Sequence, residues 1–172
     1  MVPLDVICIH GGGLYGDKAK AIDRWCTNFQ RLPSAVQRRV VLENDERCFS
    51  PRDCLEISKR TGVPVVLDNH HFECYLKSHL EEAHEHGACE DWIKPCLDTW
   101  LARGIRPKFH ISEQRPDARL GTHSDYIQVM PQYYLEIPER YGVGVDIMIE
   151  AKAKESAILD LYEKYPQLKI KK

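Results

Sequence analysis

The chain has 172 residues, 43% of them hydrophobic and 29% charged, enough to bury one core, so residues 1–172 are read as a single domain. No apolar run approaches the roughly eighteen residues that cross a bilayer, and no apolar segment follows a basic N-terminus; this argues against a membrane or secreted protein and for a cytoplasmic one. With 24 Lys and Arg against 26 Asp and Glu, bulk charge excludes non-specific attraction to nucleic acid, and seven cysteines without a CxxC pair signal neither a disulfide framework nor a zinc ribbon.

A first β-branched run, 4–10, leads into a glycine-rich turn and a helix expected over 17–31, where Ile22, Trp25, Cys26 and Phe29 recur at helical spacing. A second run, 40–45, precedes a helix expected over 51–61. Ser50 can cap that helix, Pro51 suits its first position and Gly62 follows its last turn. The run 63–68 comes next, then a stretch 73–103 that Gly87 and Pro95 divide into two helices and Gly104 ends. Runs at 108–112 and 145–150 flank a segment, 124–140, whose Pro131 and Pro138 weaken any helical pattern. Residues 152–165 predict a closing helix with Ile158, Leu159, Leu161 and Tyr162 as its apolar stripe, and 169–172 a frayed tail. Five strands alternating with helices predict an α/β fold of parallel βαβ units, its strands buried on both faces.

The strand ends carry the chemistry. They read Ile9-His10-Gly11, Leu42-Glu43-Asn44-Asp45, Leu67-Asp68-Asn69-His70-His71, Phe109-His110-Ile111-Ser112 and Ile149-Glu150, so every one offers a metal-ligating type. Parallel sheets deliver their last side chains to a common basin. A single His at a strand end more often packs than ligates, but five such ends on five strands are hard to assign to packing. Converging carboxylates repel one another unless cations lie between them, and imidazole with carboxylate suits Zn²⁺, Mn²⁺ or Fe²⁺. A cluster of two or three divalent ions is therefore expected, able to activate water and steady a phosphodiester displacement. In the turn HGGGLYGDK, glycine N–H groups can approach an anion, Lys18 adds positive charge and Tyr15 an aromatic surface for a base or sugar. The turn follows neither P-loop nor dinucleotide spacing.

HGGGLYGDK, LENDE, LDNHH, KFHIS with His123-Ser124-Asp125-Tyr126, and IMIEAKAKE resemble the UV damage endonucleases in order and spacing, over about residues 4–161. The resemblance implies a TIM-type (β/α)8 barrel with two to three divalent ions at its C-terminal mouth, Mn²⁺ first among candidates that include Mg²⁺, Zn²⁺ and Co²⁺. It implies hydrolysis of damaged double-stranded DNA 5′ to a UV photoproduct, opening excision repair. It places metal ligands at His10, Glu43, Asp68, His71, His110, His123 and Glu150. Glu43, Lys108, His110 and Glu150 are central to the implied chemistry, Lys108 matching a lysine that can be carboxylated to bridge two metals. Strand parity agrees for Lys108, two residues before His110, but from Asp68 it favours His70 over His71 unless the chain turns at Asn69. Tyr15, Lys18, Arg115 and Lys152 are the candidate DNA contacts, a local set compatible with a net charge of -2.

His79, His84, His86 and Cys89 keep no standard zinc spacing and read as a solvated helix face, whereas Trp25, Trp92 and Trp100 read as core. The five βα units answer to the fourth through eighth of a barrel that needs eight, so the barrel is expected to be incomplete. Its exposed strand edges predict self-association or a second chain supplying the missing N-terminal strands. Two other readings follow: a metal-dependent sugar-phosphate isomerase or epimerase, and an inactive or two-chain fragment that binds metal only.

Overall fold

The computed structural model describes residues 5–169; Leu4 of the expected first strand and residues 170–172 of the expected frayed tail lie outside the described residues. Strand β1 (Ile7–His10) pairs in parallel with β2 (Val40–Glu43), Ile7 opposite Val40 and His10 opposite Glu43. Strand β2 pairs in parallel with β3 (Val65–Val66), and β4 (Lys108–Ile111) with β5 (Asp146–Ile149). A single parallel bridge, Asp68 to His110, joins the two groups, and the His110 N–H donates to the Leu67 carbonyl at 3.0 Å. The five strands thus run parallel in chain order, as their alternation with helices predicts.

Each strand is shorter than its apolar run, and the reason lies at the ends. Asn44 and Asp45 leave β2 because their side chains serve elsewhere: Asn44 pairs with the Asp68 backbone, and Asp45 accepts from the N–H groups of Arg47, Cys48 and Phe49. Asp68 leaves β3 to cap the helix that follows. At its start, the Val65 N–H is taken by the Thr99 hydroxyl at 2.9 Å.

The connections are helical. Helix α1 (Lys18–Arg31) is capped by Asp17, which accepts from the Lys20 N–H. A short α2 (Ser34–Gln37), absent from the sequence reading, follows it. Helix α3 (Pro51–Thr61) has the expected caps: Ser50 and Asp53 form a reciprocal box, and Gly62 takes a left-handed φ of 72° that costs glycine nothing. The stretch expected to hold two helices instead holds α4 (Asn69–Ser78), α5 (Ala83–His86), a 3₁₀ turn (Cys89–Trp92) and α6 (Ile93–Leu101). Pro95 does not divide it, because it lies in the first turn of α6, where an N–H has no intrahelical acceptor to lose. Segment 124–140 yields only α7 (Gln132–Leu135) and α8 (Ile137–Tyr141). The closing helix α9 (Glu155–Lys164) starts three residues later than expected, since the N–H groups of Lys152 and Ala153 pair with the carbonyls of Ser124 and Asp125.

Alternate residues face opposite sides of the sheet. Leu42, Val65, Leu67, Phe109 and Ile111 bury against the helices in one core with Ile57, Leu97, Trp100 and Tyr134. The Trp100 indole donates to the Val65 carbonyl at 2.7 Å, fastening α6 to the sheet. The other face carries Cys8 and His10, Glu43, Asp68, Lys108 and His110, and it holds the site. Among the described residues no helix is long and apolar enough to cross a membrane.

Candidate metal centre

Glu43 is the hub. It is 4% exposed at the end of β2, and its Oε1 lies 2.9 Å from His110 Nδ1 and 3.3 Å from His71 Nδ1, while Oε2 lies 3.8 Å from His10 Nε2. Glu150 answers it from the end of β5: Oε1 is 3.0 Å from the same His110 Nδ1 and Oε2 is 3.5 Å from His123 Nδ1. His123 reaches this place because the loop after β4 folds back on itself, His123 bridging to Gln114 and the Ser124 N–H bonding the Glu113 carbonyl.

Asp68 is wholly buried and doubly fixed. Its N–H and C=O pair with the Asn44 amide at 2.9 and 3.0 Å, and its carboxylate accepts from the Ser112 hydroxyl and the His71 N–H. That last bond is an N-cap, so the chain does turn at Asn69 and brings His71 to Glu43 and to His123, their Nε2 atoms 3.2 Å apart. His70 points instead to Cys74, 3.6 Å away.

Electrostatics follow from this packing. Burial would raise Glu43, but hydrogen bonds from His110 and His71 hold its carboxyl far below the usual range. Burial would lower both imidazoles; the carboxylates outweigh it, lifting His110 to about 10 and His71 to about 9. Asp68, with no comparable partner, is pushed up by burial. His70 falls to about 4 through burial and the neighbouring imidazoles.

One donor atom each from Glu43, Asp68, His110 and Glu150 lies within 4.8 Å of the others, and the same holds for His10, Glu43 and His71 and for His71, His123 and Glu150. The donor set fits divalent ions: three carboxylates among neutralisable imidazoles, two imidazole nitrogens facing each other, and a buried His110 Nε2 without a partner. Lys108 is near but engaged elsewhere, its ammonium on Asp146 at 2.9 Å.

Among the expected DNA contacts, Tyr15 is 86% exposed with Arg24 over its ring, and Lys152 and Arg115 are also exposed, Arg115 beside Asp125. Lys18 is half-buried: its ammonium is held by Asp53 at 3.1 Å and the Tyr75 hydroxyl at 2.7 Å, tying the turn to α3 and α4. His86 is not on a solvated face; it is 4% exposed, edge-on to Phe72 and near Trp92. Sequence reasoning missed Asn44, Ser112 and Cys8. Parity would have found two of them, since Cys8 precedes His10 by two residues and Ser112 follows His110 by two.

The family model described as UV-endonuclease UvdE matches residues 2–172. The UV DNA damage endonuclease of Bacillus pumilus is 35% identical over 158 residues, covering 90% of this chain and 47% of that protein. That of Bacillus velezensis is 33% identical over 161 residues, covering 92% and 48%. The solved structure of SacUVDE superposes with a TM-score of 0.70 at 31% identity, covering 95% of this chain and 53% of that one. The chain therefore spans about half the length of the relatives it matches, and its mixed α/β fold of parallel strands is similar to that TIM-barrel-like structure. By the match over nearly its whole length, this chain belongs to the UV-endonuclease UvdE family.

Proposed function

We propose that this chain carries the metal centre of a DNA-repair endonuclease that hydrolyses damaged double-stranded DNA on the 5′ side of UV photoproducts. The observation that supports it most is the convergence of Glu43, Asp68, His110 and Glu150 at the C-terminal ends of parallel strands. In this reading His10, Glu43, Asp68, His71, His110, His123 and Glu150 hold two to three divalent ions, Mn²⁺ first among Mn²⁺, Mg²⁺, Zn²⁺ and Co²⁺. Bound there, such ions supply a water of lowered pKa and positive charge for the phosphate under attack.

The chain's own part is positional. Glu43 and Glu150 each present both oxygens to imidazoles from different strands and loops, the arrangement expected of bridging carboxylates. Asp68 is held rigid by Asn44 and Ser112. Lys108 lies beneath His110 in the same file; its recruitment as a carboxylated ligand requires the pair with Asp146 to break. In this reading the exposed Tyr15, Arg115 and Lys152 meet the nucleic acid, while Lys18 contributes by steadying the turn that presents His10. In the same reading the five strands are the fourth to eighth of a (β/α)8 barrel, supported by their parallel order and the half-length match.

The test is nicking of supercoiled plasmid, irradiated or not, by protein stripped of metal and resupplied with Mn²⁺. Mn²⁺-dependent nicking confined to irradiated plasmid, and lost in Glu43→Gln, is expected. Equal nicking of both plasmids would remove lesion specificity; no Mn²⁺-dependent nicking of either would remove the nuclease reading.

A further inference from the structure

The seven cysteines are all free thiols, and one of them belongs to the site. Cys8 lies on β1 two residues before His10 and therefore on the same face. Its Sγ donates to Glu43 Oε2 at 3.4 Å. The sulfur, a Glu43 oxygen and a His110 ring nitrogen all lie within 4.8 Å of one another, a spacing that donors to a single ion adopt. A second observation points the same way. His110, a member of this donor group, is 3% exposed, and its Nε2 is a buried nitrogen with no hydrogen-bond partner. Among the described residues Cys8 is the one cysteine that joins such a donor group.

We infer that Cys8 is a sulfur ligand of the metal centre, adding a soft donor to a set otherwise made of imidazole and carboxylate. The inference rests on the metal-binding part of the proposed function and is independent of the DNA substrate. On binding, the thiol proton leaves to solvent and the sulfur takes the metal in its place, as coordination deprotonates a thiol outright. A thiolate donor shifts preference toward Zn²⁺ and Co²⁺ and away from Mn²⁺ relative to nitrogen and oxygen donors alone. Such a centre would hold thiophilic ions tightly at the position nearest β1.

Co²⁺ titration of the metal-free 172-residue chain under reducing conditions tests this by spectroscopy. The wild type should show visible d–d bands together with a near-ultraviolet sulfur-to-cobalt charge-transfer band. Cys8→Ser should keep the d–d bands, which also shows that it folds, and lose the charge-transfer band; Cys74→Ser, altered beside His70, should keep both. Competition should show Zn²⁺ affinity falling at least about tenfold in Cys8→Ser, with a smaller change for Mn²⁺. Visible bands without charge transfer in the wild type, or charge transfer that survives in Cys8→Ser, would overturn the ligand role while the metal centre stands. No cobalt bands at all would overturn the metal centre itself.

Discussion

Asn44 has no donor atom of its own in the metal groups, yet it decides where Asp68 stands. Its side-chain amide bonds both the N–H and the C=O of the buried Asp68, and its backbone carbonyl lies 3.2 Å from His71 Nδ1. Without that side chain the buried Asp68 N–H is left unpaired, at a cost of about 1–3 kcal/mol, while the Asp68 carbonyl keeps the Phe72 N–H. Asn44→Ala is therefore expected to lower the melting temperature and, because Asp68 loses the side chain that fixes its backbone, to weaken Mn²⁺ binding by about 10–100-fold. Thermal unfolding and metal titration check both effects; an unchanged affinity in a destabilised protein would show Asn44 to be structural only. At the same scale, His10 and Glu43 were legible in the sequence because each ends a strand. His71 was legible through the motif resemblance and not through parity, because Asp68 abandons the strand to cap α4.

Among elements, the turn between β1 and α1 shows how a local motif acquires its purpose. Its glycines can approach an anion, but Gly11 has a more immediate constraint: a Cβ there would lie 2.5 Å from the ring of Phe49, which is fully buried. Gly11→Ala must push that ring or lift the turn, an overpacking cost of about 1–3 kcal/mol. The expected outcome is a lower melting temperature together with weaker metal binding, since His10 begins the turn; unchanged unfolding would mean that Phe49 yields freely. Helix α3 is the opposite case, its caps and boundaries readable from Ser50, Pro51, Asp53 and Gly62 because capping chemistry is local. The region after α4 was not readable, since Pro95 serves as a first-turn residue there, and only the packing of Phe72 and Trp92 around His86 tells a buried histidine from a solvated one.

At the scale of the whole molecule, β1 and β5 flank the sheet among the described residues, and both leave apolar surface open. Ile7 is 49% exposed, Ile9 39% and Met148 41%, and a cavity of about 470 Å³ lies between β5 and α9, lined by Ile147, Ile149 and Leu161. Exposed edges of this kind template pairing with another chain. A chain of these 172 residues by itself is expected to self-associate in a concentration-dependent way, read by light scattering. A monodisperse monomer across the concentration range would show that these edges are adequately protected.

The sequence by itself determined the alternation of strands and helices, the caps of α3, and the acidic or histidine residue at each strand end. These depend on neighbours a few residues away, where periodicity and capping operate. Only the tertiary structure decided the meetings: His110 with Glu43 across 67 positions, Lys18 with Tyr75 across 57, Lys108 with Asp146 across 38, and Cys8 beneath His10 against Glu43 across 35. Which donors share an ion depends on strand register and on a loop folding back, and no short-range pattern encodes either.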